Sequence, residues 1–195
     1  MFAALSALHR QSQFRRWFRL HLAVALAVFV VGLVFGSAAA LAVEPTLLSE
    51  LARRREMLPD RLTTWYILSN NARVLSLMVL GTFSLGLVTL FALFVNGVVV
   101  GLVGTLALAN VSPLVLAALL VPHGILEIPA FLLAGALAFR IAHRIVRYLL
   151  AYDETPLTRV EGYEIAVLLV VLFCLLAVAA WIEVNVTPAV ARTVR

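Results

Sequence analysis

Residues Val121 to Arg147 read VPHGILEIPAFLLAGALAFRIAHRIVR, and the fold turns on how this stretch is understood. It is an apolar helix that opens on a histidine and a glutamate and closes on arginines. His123 and Glu127 stand four apart, which on a helix puts them on one face, one turn apart. Pro122, Gly124 and Pro129 bracket them, so the pattern predicts a helix broken at 122–124. A charge at the centre of a span costs about 2.5–3.5 kcal/mol, and each Leu, Ile or Phe returns about 0.3–0.6 kcal/mol. The eight such residues from Ile125 to Phe139 offset roughly 2.4–4.8 kcal/mol. Alone the segment is near break-even, so Glu127 is tolerable only if partnered, neutral or close to the interface. His123 is the nearest partner in sequence. Asn96 and Arg73 join the polar site if the helices fold back on one another.

Composition places this helix among others of its kind. The chain has 195 residues, 64% hydrophobic and 13% charged, with a mean hydropathy of +1.07. Soluble domains carry about 25% charged residues. Too few polar groups are present to coat a globule, and enough apolar ones to build several spans. The fold class expected is therefore an all-α polytopic membrane protein. The net charge of +5 comes from fifteen arginines without a lysine, and they lie near segment ends. That distribution suits headgroup anchoring and orientation rather than nucleic-acid binding. A single Cys174 inside an apolar run excludes an intrachain disulfide and a cysteine metal site.

Upstream of the central helix, Ser112-Pro113 is a start signal, with serine as cap and proline at the first helical position. Gly97 to Ala109 is short for a span, about 20 Å of helix against roughly 30 Å of hydrocarbon. Gly97, Gly101 and Gly104 share a face there and predict close helix packing. Asn96-Gly97 ends the preceding span, which begins near Val74. Asn70, Asn71 and Arg73 precede that span, either as a polar vestibule or as a helix-entry cap. Trp65 and Tyr66 mark re-entry through an aromatic belt. Glu44 to Arg61 reads as a surface loop with leucines at helical spacing. His21 to Val43 is a first span, its Gly32, Gly36 and Ala40 forming a small-residue stripe for packing within the chain or for dimerisation. Ala40-Leu41-Ala42 resembles a signal-peptide cleavage site, but the apolar region exceeds the usual ~7–15 residues. Residues 1–20, with Phe14, Trp17 and Phe18 beside Arg15, Arg16 and Arg19, read as an interfacial amphipathic helix.

Downstream, Ala130, Ala134 and Ala138 give a narrow packing face. Arg140, Arg144 and Arg147 form either a cytoplasmic stop that contacts lipid phosphates or a dock for a partner. Thr158 and Glu161 have capping-box spacing before a last span, Tyr163 to Glu183, and residues 185–195 form a tail. In all, about five spans are expected within a single domain, 21–184. They cover 21–43, 74–95, 97–110, 113–142 with its break, and 163–183, with short or interrupted helices around the third and fourth. Two short, interrupted segments point to a site near the midplane, expected to hold His123, Glu127, Asn96, Asn71 and Arg73. Five crossings put the amino terminus and the Arg140 region on one side, and arginine density there places that side in the cytoplasm.

Catalytic readings do poorly. His123 to Glu127 lacks the second histidine of a zinc protease, and His143 stands about 30 Å further along the same helix. No nucleophile elbow or phosphate-cradling loop is present. Ser76, Ser84 and Ser112 are available to pair with a histidine, but nothing singles one out. No catalytic residue, metal ligand or cofactor is expected.

Asn70-Asn71, Asn96-Gly97 with Gly101, and above all the run His123-Gly124-Ile125-Leu126-Glu127-Ile128-Pro129-Ala130 resemble the stage II sporulation protein M (SpoIIM-like) family over roughly Leu20 to Glu183. The resemblance implies a polytopic inner-membrane protein. In endospore formers such a protein serves as the membrane scaffold of a complex with peptidoglycan-degrading partners. Two functions are therefore expected. One is a scaffold, whose partners are the bilayer, other membrane or membrane-associated proteins such as a cell-wall enzyme, and a second copy of itself. The other is a permease-like subunit with an intramembrane His/Glu pathway, working with a cytoplasmic ATPase.

Overall fold

The computed structural model describes residues 2–42 and 63–194, with side chains from residue 18 onward in the first stretch. The surface loop expected at 44–62 lies outside the described residues. Among those described, every regular element is helical: α1 (Phe2–Ala42), α2 (Thr64–Leu80) with a 3-10 turn (Gly81–Ser84), α3 (Leu87–Leu108), α4 (Pro113–Leu149), α5 (Arg159–Asn185) and α6 (Thr187–Thr193). Four of these, Phe18–Ala42, Leu87–Leu108, Pro113–Leu149 and Arg159–Asn185, are long and apolar enough to cross a membrane. Together with the 17-residue α2 they make up the all-α polytopic architecture that composition implied.

Helix boundaries follow local chemistry. Thr63 caps α2 by accepting from the Tyr66 N–H at 3.2 Å. Ser112 Oγ accepts from the Val115 N–H at 3.3 Å, with Pro113 at the first helical position of α4. At the start of α5 both halves of the Thr158/Glu161 capping box are present. Beyond α4, the Tyr152 N–H reaches the Arg147 carbonyl and the Ala151 N–H that of Tyr148, a Schellman closure with Ala151 at a φ of 59°.

The expected interruptions are placed differently. α4 is one continuous helix through Pro122, Gly124 and Pro129, so the break at 122–124 does not form. Each proline deletes one N–H, and membrane helices tolerate such prolines because neighbouring groups and local adjustments satisfy the freed backbone. Likewise Asn96-Gly97 lies inside α3, and 97–110 is no separate short span. The real break falls within the expected span 74–95, at Gly81 to Gly86. There the Gly86 N–H bonds the Gly81 carbonyl and the Leu85 N–H that of Thr82, each at 3.0 Å. Leu85 and Gly86 have φ values of 55° and 91°, and the left-handed geometry reverses the chain. The amino-terminal segment is no separate interfacial helix either, since α1 is continuous over its 41 residues and has no Gly or Pro before Gly32 to stop it. Most of the expected tail is α6.

α1 and α3 run parallel and interdigitate backbone to backbone. A Cβ at Gly32 or Gly36 would strike the carbonyls of Phe94 and Val98, and one at Gly97 or Gly101 those of Phe29 and Leu33. Small residues thus let two backbones touch, and dispersion supplies the attraction that lipid-solvated apolar faces do not. Gly104 meets nothing within 4 Å, so the third expected packing glycine lies past the contact. The bundle centre is filled by Leu75, Met78, Leu93, Leu137, Leu172 and Leu176, all essentially inaccessible. The outward faces, including Val31, Phe35, Phe91 and Val170, are exposed and apolar, as a lipid-facing surface should be.

Candidate functional site

α4 carries His123 and Glu127 into the bundle on one face, as their spacing required. Glu127 lies about 21 Å along the helix from Pro113. Two other helices bring polar groups to meet them. Glu183, two residues before the end of α5, completes a triad in which a ring nitrogen and two carboxylate oxygens lie within 4.8 Å of one another. From α2, the buried Asn71 side chain comes beside the Glu127 carboxyl. The chain turns at Val186 into α6, whose Thr187 is also buried. His123, Glu183 and Thr187 line a cavity of about 660 Å³ with Ile67, Leu119 and Arg192. Within it, His123 Nδ1 and Thr187 Oγ1 are buried without a hydrogen-bond partner among the described residues. Chemically, this is one imidazole, two carboxylates and spare polar atoms at one end of an apolar bundle. It can hold a cation or share protons.

Of the five residues expected at the site, three meet there: His123, Glu127 and Asn71. Asn96 instead donates its amide to the Ala92 carbonyl at 2.8 Å, one turn back in its own helix. Arg73 lies on the exposed face of α2 with Asn70 and Tyr66, at a separate cavity of about 370 Å³. Two residues on a helix means roughly 200° of rotation, so Asn71 and Arg73 point to opposite sides. Glu183 and Thr187 were missed. In the sequence Glu183 reads as the end of a span, although an acid closing an apolar run of that length is a usable signal.

The opposite end of the bundle is organised by charge. Arg147 makes a two-pronged contact with Asp153, Nε to Oδ2 at 2.9 Å and a terminal nitrogen to Oδ1 at 3.1 Å. Arg144 reaches Asp153 at 2.9 Å and Glu161 at 3.6 Å, and Arg140 reaches Glu161 at 3.1 Å. The arginines expected as a docking surface are thus engaged by acids of their own chain, and they brace α4 against the connector and α5. His21 and His143, 122 positions apart, join the same end through ring nitrogens 3.3 Å apart. This pairing sets the start of the first span beside the Arg140 region. The Arg147 hydrogen bonds, with the Arg144 and Arg147 charges behind them, hold the Asp153 carboxyl below its usual range, outweighing desolvation. A depressed carboxylate pKa stabilises the fold above the unfolded value of about 3.9 and loses that contribution as pH falls through the folded value. Thermal unfolding in detergent should therefore show Asp153→Asn less stable than wild type at pH 7, with the gap narrowing as pH falls below the unfolded value of about 3.9. A constant gap across that range would contradict the assignment.

The arrangement defines a class: an integral membrane bundle of helices, dry at its centre and polar at both ends. More narrowly, the family model for stage II sporulation protein M matches residues 25–188, and the chain belongs to that family. It is also similar to an uncharacterized protein of Methanocaldococcus jannaschii, 39% identical over 126 residues, which are 64% of this chain and 71% of that protein. No solved structure matches it.

Proposed function

We propose that the protein is a non-catalytic scaffold subunit of a multiprotein complex in the plasma membrane, of the cell-envelope-remodelling type that the family's name suggests. One observation carries this reading. The space between the His123/Glu127/Glu183 cluster and the His21/His143 end is packed with apolar side chains such as Leu75, Met78, Leu93, Phe131 and Leu137. A pathway for ions or polar groups needs a continuous polar lining, and this core supplies none. A rigid glycine-packed helix pair with apolar outer faces is instead suited to holding neighbours in a fixed geometry. The arginines of the amino-terminal segment and of the Arg140 end suit an amino terminus on the cytoplasmic side.

A permease-like role is favoured by a different feature, the two facing carboxylates beside a cavity of about 660 Å³. Two measurements separate the readings. After mild detergent extraction from its own host, a scaffold elutes in a defined complex with membrane-associated cell-wall enzymes, and Glu127→Gln leaves that complex intact. In liposomes it passes no pH-dependent cation or proton flux. Flux that Glu127→Gln removes, or co-elution with an ATPase instead, would replace the scaffold reading with the permease one.

A further inference from the structure

We propose that His123, Glu127 and Glu183 form a binding site for a divalent transition-metal ion, typified by Zn²⁺, that clasps α4 to α5. This goes beyond the scaffold reading and stands or falls independently of it. Three ligand-type atoms from two helices already converge within 4.8 Å. Around a tetrahedral ion with bonds near 2.0–2.2 Å, ligand atoms sit about 3.4 Å apart, so closure requires side-chain shifts of roughly 1 Å. Two carboxylates this close in an apolar bundle repel one another, and the neutral Asn71 amide beside Glu127 offsets only part of this. Arg192 lines the cavity, but it is exposed and donates its Nε–H to the Pro188 carbonyl at 3.1 Å. A cation between the acids would remove the conflict.

The second, independent observation is the set of unused polar atoms. Thr187 is 5% exposed, its hydroxyl has no partner among the described residues, and it lines the same cavity. His123 Nδ1 is likewise buried and unbonded. Such atoms are rare unless a water, an ion or a ligand completes them. Thr187 Oγ1 then supplies a further oxygen or holds a metal-bound water, and Asn71 orients Glu127 from the outer shell. The donor set selects the metal: imidazole with carboxylates suits Zn²⁺, Mn²⁺ or Fe²⁺, whereas Ca²⁺ and Mg²⁺ favour oxygen alone.

The test uses the full chain in detergent, stripped with chelator and titrated with Co²⁺, then Zn²⁺. The expected result is a visible d–d absorption band saturating at a single Co²⁺ per chain, displaced by Zn²⁺, with a higher Tm that Mg²⁺ does not reproduce. Glu183→Gln and His123→Gln should each weaken Co²⁺ binding by roughly 100-fold or more, while His143→Gln leaves it unchanged. Absence of the band in the wild type overturns the proposal. Binding abolished by His143→Gln but indifferent to both site variants overturns it as well, because the metal would then belong to the His21/His143 pair. The wild-type titration decides the first point without any variant having to fold.

Discussion

Replacing Gly101 with leucine is expected to unfold the α1–α3 pair, while the same change at Gly104, one turn on, is expected to be silent. At Gly101 even a Cβ would land on the Leu33 carbonyl oxygen, with the Ser37 nitrogen 2.9 Å away. Both obstacles are backbone, so no rotamer change relieves them, and the helices must separate along their length. Overpacking of this kind costs about 1–3 kcal/mol and more where backbone must move. Separation also removes the neighbouring contacts at Gly32, Gly36 and Gly97, and the 3.4 Å bond from Ser37 Oγ to the Gly101 carbonyl. We therefore expect Gly101→Leu at or beyond the top of that range. Gly104 has nothing within 4 Å, and its leucine should stay within about 0.5 kcal/mol of wild type. Thermal unfolding in detergent, followed by circular dichroism, checks both. Equal midpoints for the two variants would mean that α1 and α3 are not packed in this register.

The second large effect is expected at the reversal between α2 and α3. A Cβ at Gly81 would lie 2.6 Å from the Thr89 backbone nitrogen and 3.2 Å from its Cα. Thr89 is fully buried and donates its hydroxyl to the Met78 carbonyl at 2.6 Å, tying the two arms of the turn together. Leucine at 81 drives α3 away from α2 and leaves that carbonyl unbonded in an apolar core, which alone costs about 1–3 kcal/mol. Thr89→Val isolates this hydrogen-bond share, and Thr89→Ser should restore most of it. Gly81→Leu should lower the unfolding midpoint more than Thr89→Val does, because it adds the backbone clash. If Gly81→Leu unfolds like wild type, the chain does not reverse at this point.

The sequence by itself determined whatever depends on a few consecutive residues or on bulk composition. Low charge with high hydropathy made this an all-helical membrane protein. Ser112-Pro113 and Thr158-Glu161 set helix starts, because a cap bonds only to its own first turn. The i, i+4 rule put His123 and Glu127 on one face, and glycine spacing marked Gly97 and Gly101 as a contact surface. Tertiary structure decided the rest. Pro122 and Asn96-Gly97 look like breaks in isolation, yet packing keeps both helices whole, while the less conspicuous Gly81 to Gly86 turns the chain. Glu183 and Thr187 join the site, Asn96 and Arg73 do not, and the arginines of α4 meet Asp153 and Glu161. The reason is that hydrocarbon is as apolar as a leucine-filled core, so hydropathy does not distinguish a helix's inward face from its outward one. Which polar residues meet is then set by how the helices pack against one another.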